Sequence, residues 1–231
     1  MKMLKFIFCC TFLLLAKSSF SQTMWKYFQP EDFEARRNKV MEKIGDGVLI
    51  LQGAELPEAY VKFRQDNNFY YLTGVEVPDA VLIIDGKTKE AVLLVPDNTS
   101  KDIKTEAVIK PGDDAAVVYK FTKVLSKTMM TAILNRYSAS SQTFYLQSSP
   151  QETTEMSRDR CMMTRANRLN DPWDGRISKE VNFYNKIKER FPATDIKDIS
   201  PVLDEMRWVK DKKEIAVLRE CGRIGCLGIN E

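Results

Sequence analysis

The chain has 231 residues, 44% of them hydrophobic and 29% charged, with ten glycines and nine prolines; that composition excludes disordered and collagen-like classes and fits one large domain, or one domain and the start of another. It contains no histidine, so its own side chains can assemble no Ser-His-Asp or Cys-His nucleophile pair and no histidine-containing catalytic metal site. The formal charge of +3 comes from Lys2, Lys5 and Lys17: taking these three from the 35 basic residues leaves 32, equal to the 32 acidic ones, and nothing in that balance points to nucleic acid or an anionic membrane as partner.

Those three lysines flank the first predicted element. "MKMLKFIFCCTFLLLAKSSFSQ" has a basic start, an apolar run of 11 residues from Phe6 to Ala16, and small residues Ser19 and Ser21. This is a signal-peptide pattern, too short for the roughly 20 residues of a spanning helix, and it predicts cleavage after Ser21, export to the periplasm or the exterior, and no membrane anchor. Cys9 and Cys10 lie inside the apolar run behind bulky Ile7 and Phe8, which disfavours a lipoprotein. Of the remaining cysteines, Cys161, Cys221 and Cys226, the odd number leaves a thiol unpaired, and buried small hydrophobes are the expected role for Cys221 and Cys226.

"PEDFEARRNKVMEKIGDG" predicts an amphipathic helix opened by Pro30 and stopped by Gly45 and Gly47, and "GVLILQG" a buried strand. Next comes "FRQDNNFYYLTG", Phe63 to Gly74, whose polar cluster between aromatics predicts a loop tucked against the core, with Asp and Asn side chains bonding nearby backbone and a glycine turn at the end. "AVLIIDGKTKEAVLLVP" predicts a hairpin turning at Asp85-Gly86. After a polar stretch, Asp113-Asp114 behind Pro111-Gly112 reads as a solvated helix start. The spacing of Phe121, Val124, Leu125, Met129, Ala132 and Ile133 predicts one helix through "YKFTKVLSKTMMTAILNRY", and "TFYLQ" a strand. Residues 148–178, rich in turn formers, predict loop. "KEVNFYNKIKERFP" resumes helical spacing; a short extended piece, a helix from Ser200-Pro201 and a further helix from near Asp211 complete the chain.

No Cys-x-x-Cys, Gly-x-Ser-x-Gly or P-loop sequence occurs. "GRIGCLG", Gly222 to Gly228, has the wrong spacing for a dinucleotide fingerprint and reads as a small-residue helix face. Asn98-Thr99-Ser100 is a glycosylation sequon that matters only in a glycosylating pathway.

"FRQDNNFYYLTGVEVPDAVLIID" resembles the signature of the amino-terminal domain of Xaa-Pro aminopeptidase (aminopeptidase P), in the creatinase and prolidase superfamily. Arg36-Arg37, Asp46-Gly47 and the hairpin follow the family's order. A second anchor, "MRWVKDKKEIAVLRECGRI" with Arg207, Lys210, Glu214 and Ile215, is similar to the linker and first helix leading into the family's "pita-bread" catalytic domain. The resemblance implies an α/β fold with a mixed, roughly six-stranded sheet and flanking helices, over residues 22–207, and a linker with the first helix of an absent domain over 208–231. It implies no catalytic or metal-binding residue in this chain. Arg64, Gln65, Asp66, Asn67, Phe69, Tyr71, Gly74 and Pro78 become structural or interface residues, and Asp66→Ala or Gly74→Val is expected to lower stability by about 1 to 3 kcal/mol. Two divalent metals, typically manganese, are implied for the full-length enzyme, along with homo-oligomers and peptide substrates carrying proline second. The family's Trp-x-Gly stretch is absent between Asp97 and Gly112, which leaves substrate preference open. A stand-alone binding or oligomerisation module, and the amino-terminal domain of a prolidase or creatinase, are the alternatives.

Overall fold

Alternation along the central strands decides the architecture. In the computed structural model, which describes residues 27–57, 61–97, 109–149, 152 and 156–230, helix α1 (Pro30–Ile44) leads into β1 (Val48–Gln52), and the short α2 (Asn67–Thr73) precedes the hairpin of β2 (Val81–Asp85) and β3 (Glu90–Val95). Then come α3 (Asp113–Tyr119), β4 (Lys123–Ser126), a 3-10 turn over Lys127–Met129, α4 (Met130–Ala139), β5 (Phe144–Leu146), α5 (Arg158–Asn170) and α6 (Lys179–Arg190). The short β6 (Ile196–Asp198), α7 (Ser200–Trp208) and α8 (Lys212–Asn230) follow.

Among the described residues six strands form one mixed sheet, as expected, and their order is β4-β3-β2-β1-β5-β6. Only β2 runs against its neighbours: it is antiparallel to β1 and β3, while β3 with β4, β1 with β5 and β5 with β6 are parallel. Both faces are covered, which is why β1 and β2 read as unbroken apolar runs. Leu49, Leu51, Leu82, Ile84 and Leu93 pack under α1, α2, α3 and α7, through Val40, Ile44, Phe69, Leu72, Ala116 and Leu203. Ile50, Ile83, Val92, Leu94 and Phe144 pack under α4 and α6, through Leu134, Tyr137, Ile187 and Phe191.

Four expectations are corrected. The Phe63–Gly74 segment is not all loop, because Asp66 caps seven of its residues into α2. The single helix expected over residues 119–137 is a helix end, a strand, a 3-10 turn and a helix: Lys120 takes a left-handed conformation (φ 56°) that ends α3, and the chain then pairs with β3. Val124 and Leu125 pack on opposite faces of the sheet, the period of a strand, which the helical spacing had masked. The loop expected over 148–178 contains α5, capped by Ser157 but burying only Cys161, so it carried little apolar periodicity. Cys221 and Cys226 are exposed on α8, not buried. The leader and the sequon lie outside the described residues. Among those residues no helix is long and apolar enough to cross a membrane.

Candidate functional site at the Arg-Gln-Asp segment

The segment sits where the chain leaves the carboxyl end of β1, and each of its polar residues answers a backbone need. Gln65 is buried: its Oε1 accepts from Ala54 N (2.6 Å) and Asp66 N (2.9 Å), and its Nε2 donates to the carbonyls of Val75 (3.2 Å) and Val77 (3.0 Å). All four of its hydrogen-bonding positions are therefore filled. Asp66 Oδ1 accepts from the backbone of Asn68 (3.0 Å) and Phe69 (3.1 Å), the usual duty of an N-cap carboxylate. Gly74 ends α2 in the left-handed region (φ 64°), its N–H donating to Tyr70 O. Phe69 is fully buried, and Pro78 is buried at the turn before β2, where Asp79 has φ 58°.

The remaining members reach outward. Tyr71 donates its hydroxyl to Met206 O (3.1 Å) in α7 and carries the Arg36 guanidinium over its ring at 4.2 Å. Arg36 in turn donates to Tyr71 O and contacts Asp211 (3.4 Å) and Glu214 (3.6 Å) at the start of α8. Asn67 Oδ1 accepts weakly from exposed Arg64 (3.4 Å).

Sequence reasoning assigned no partners to two decisive residues. Asn68, fully buried, donates to Gln147 Oε1 (3.0 Å) after β5 and accepts from Arg207 Nη1 (2.7 Å), whose Nη2 holds Glu152 (2.9 Å). Burial would raise the Glu152 carboxyl, but hydrogen bonds from its own backbone, Arg207 and Asn67 overcome this and hold it down at about 2. Arg37, only 1% exposed, donates to Leu72 O (2.9 Å) at the end of α2 and to the carbonyls of Tyr119 and Lys120 at the end of α3, with its guanidinium 4.3 Å from the Phe121 ring centre. Burial pulls its pKa down to about 10. The Arg36-Arg37 pair signalled the family pattern, but nothing in a linear sequence says which carbonyls an arginine will meet.

Beside the segment lies a groove of about 430 Å³, walled by Phe63 to Asp66, by α5 through Thr164, Arg165 and Arg168, and by Arg176 to Glu180 at the start of α6. Among the described residues no group of three or more Cys, Asp or Glu is placed to hold a metal ion. The segment contains no nucleophile paired with a base, and its one partly buried carboxylate is committed to a helix cap. Its chemistry is that of a clamp.

Residues 33–145 match the family model described as "Aminopeptidase P, N-terminal domain". Over those residues the chain has the aminopeptidase P amino-terminal domain. It is similar to the "Probable Xaa-Pro aminopeptidase PEPP" of Coccidioides posadasii, at 27% identity over 79% of this chain and 34% of that protein. It is also similar to the mitochondrial intermediate cleaving peptidase 55 of Arabidopsis thaliana, at 24% identity over 86% of this chain and 36% of that protein. Among solved structures, aminopeptidase P from E. coli with the inhibitor Pro-Leu shares the fold with a TM-score of 0.57 at 21% identity, over 85% of this chain and 43% of that one. Icp55 from Saccharomyces cerevisiae does so with a TM-score of 0.56 at 19% identity, covering 82% and 39%. The chain thus spans about a third of the length of the curated relatives it matches. The aminopeptidase P domain match takes in α1 through the start of β5, and the Arg207 partner of Asn68 lies beyond it.

Asp66 gives this domain a measurable pH signature. Burial pushes its carboxyl from the ordinary 3.8 up to about 6, against the lowering effects of the Phe69 and Asn68 amides and of Lys179. A folded-state pKa above the unfolded value means that the folded protein binds the proton more tightly. The contribution to stability is therefore full below about pH 3.8 and is lost as pH rises through about 6. Asp66→Asn keeps an acceptor for the cap and abolishes the titration, so its melting temperature should gain on wild type between about pH 4 and pH 7.5. Asp66→Ala should fall below Asp66→Asn by about 1 kcal/mol at every pH. Parallel melting curves for wild type and Asp66→Asn across that range would remove Asp66 as the titrating group.

Proposed function

We propose that this chain serves as the non-catalytic amino-terminal domain of an exported, metal-dependent Xaa-Pro aminopeptidase, which removes amino-terminal residues that precede proline. The observation that carries the reading is the match of residues 33–145 to the aminopeptidase P amino-terminal domain, joined to the way α8 leaves it. Arg36 and the Lys213–Asp32 ion pair (2.6 Å) fasten the first turns of α8 to α1. Further along the helix Leu218, Ile224, Leu227 and Ile229 are all exposed, on more than one side of it, apolar surface suited to packing against a following domain. On this reading residues 22–207 form the domain, 208–231 the linker and first helix of the catalytic domain, and the domain contributes oligomer contacts and the rim of the active site.

The residues present do not fit the family's two-metal centre, since the chain has no histidine and its described acids form no cluster. The metals, manganese by family resemblance, are assigned to residues outside this chain, and no catalytic step is drawn through it.

The test is the reading frame past Glu231. Its whole product should hydrolyse Xaa-Pro-Yaa peptides in a divalent-metal-dependent way and begin at Gln22 after export, while the 231-residue chain alone is silent on the same peptides. A stop codon directly after Glu231 with a monodisperse product would replace this reading by a stand-alone module. Cleavage of Xaa-Pro dipeptides or creatine alone would replace it by a prolidase or creatinase.

A further inference from the structure

Basic side chains outnumber acidic ones along the groove beside the Arg-Gln-Asp segment. Lys62, Arg64, Arg165, Arg168 and Lys179 line it, and among the described residues none of the five is within ion-pair distance of a carboxylate. Where these side chains are bonded, the acceptors are neutral oxygens: Asn67 Oδ1 for Arg64, Ser148 O for Arg165 and Gly53 O for Lys179. Three different elements supply the charges, and Arg165 and Arg168 stand three apart on α5, on the same side of the helix. The acids of the lining are fewer. Glu152 is bound to Arg207 and Asp66 to the α2 cap, which leaves Glu55 and Glu180.

Among the charges the lining carries the apolar side chains of Val61, Phe63, Met156 and Ile177. A nucleic acid would bring a continuous line of phosphates past Glu55 and Glu180 and would have no use for those apolar groups. A peptide presents its carboxylates at intervals with apolar side chains between them, and main-chain groups for the polar rim.

We propose that this groove binds an extended, acidic peptide segment of a partner protein, its carboxylates held by Arg64, Arg165, Arg168 and Lys179 and its apolar side chains on Phe63 and Ile177. The guanidinium groups supply bidentate recognition of carboxylate, and the charge excess gives the encounter a strong dependence on ionic strength. This does not rest on the peptidase reading; it needs only the groove.

The experiment is fluorescence anisotropy of the 231-residue chain with a fluorescein-labelled peptide of alternating Glu and Leu, against a Lys and Leu peptide of the same length. The Glu peptide should bind, weakening as salt rises from about 50 to 300 mM, and the Lys peptide should not. Arg165→Glu with Arg168→Glu, both on the rim of α5, should weaken binding at least about tenfold with the melting temperature unchanged. Equal binding of the two peptides, no binding of either, or an unchanged affinity in the doubly reversed variant would overturn the proposal. So would displacement of the peptide by single-stranded DNA, or a wild-type dimer in sedimentation that the charge reversal dissolves.

Discussion

Replacing Gly74 by valine is expected to destabilise the domain by about 3 to 5 kcal/mol, enough to leave much of it unfolded at physiological temperature. Two separate penalties meet there. The backbone is left-handed at φ 64°, which a β-branched residue resists. An added Cβ would also lie 2.4 Å from Cε2 of the Phe33 ring, which is locked in the core and cannot swing aside. The expectation of 1 to 3 kcal/mol from sequence counted the conformation alone. The clash can be isolated by a double-mutant cycle of Gly74→Ala with Phe33→Leu, in which the pair should cost less than the sum of the singles. Additive losses would show that Phe33 is not what Gly74 accommodates.

Arg37→Met should cost a similar amount, about 3 to 5 kcal/mol in urea unfolding, for a different reason. Methionine replaces much of the stem but none of the donors, so Leu72 O, Tyr119 O and Lys120 O lose their shared partner inside the fold. These carbonyls belong to the ends of α2 and α3, where no further helical turn can satisfy them. Arg37→Lys should recover little, since one ammonium cannot span two helix ends as a planar guanidinium does. A midpoint for Arg37→Met within about 0.5 kcal/mol of wild type would mean that water replaces the arginine there.

How much of this could be read from sequence depended on the range of the interaction. The hairpin of β2 and β3 was legible because Asp85-Gly86 and two apolar runs are a local signal; Asp85 does turn the chain, accepting from Lys87 N and from Thr88. The helix start at Asp113 was legible for the same reason. β4 was not, because four residues between two helices show no resolvable period, and only pairing with β3 makes them a strand. α5 was hidden by its single buried residue. At the site, the linear motif located Gln65, Asp66 and Gly74, whose bonds lie within about a dozen residues. The roles of Arg37 and Asn68 were not legible because their partners are supplied by distant segments: Tyr119 and Lys120 for one, Gln147 and Arg207 for the other.

The bond between Asn68 and Arg207 spans 139 positions, which sets a timetable for synthesis. Residue 68 leaves the ribosome early, with an amide that must be buried and whose acceptor side is answered only when α7 has emerged. Until then the hairpin and α1 can form, but the segment that joins them to the rest has no partner for a fully enclosed polar group. A nascent chain stopped before residue 207 should therefore stay protease-sensitive around α2, and the domain should close in one late step, from its last helix backwards to its signature.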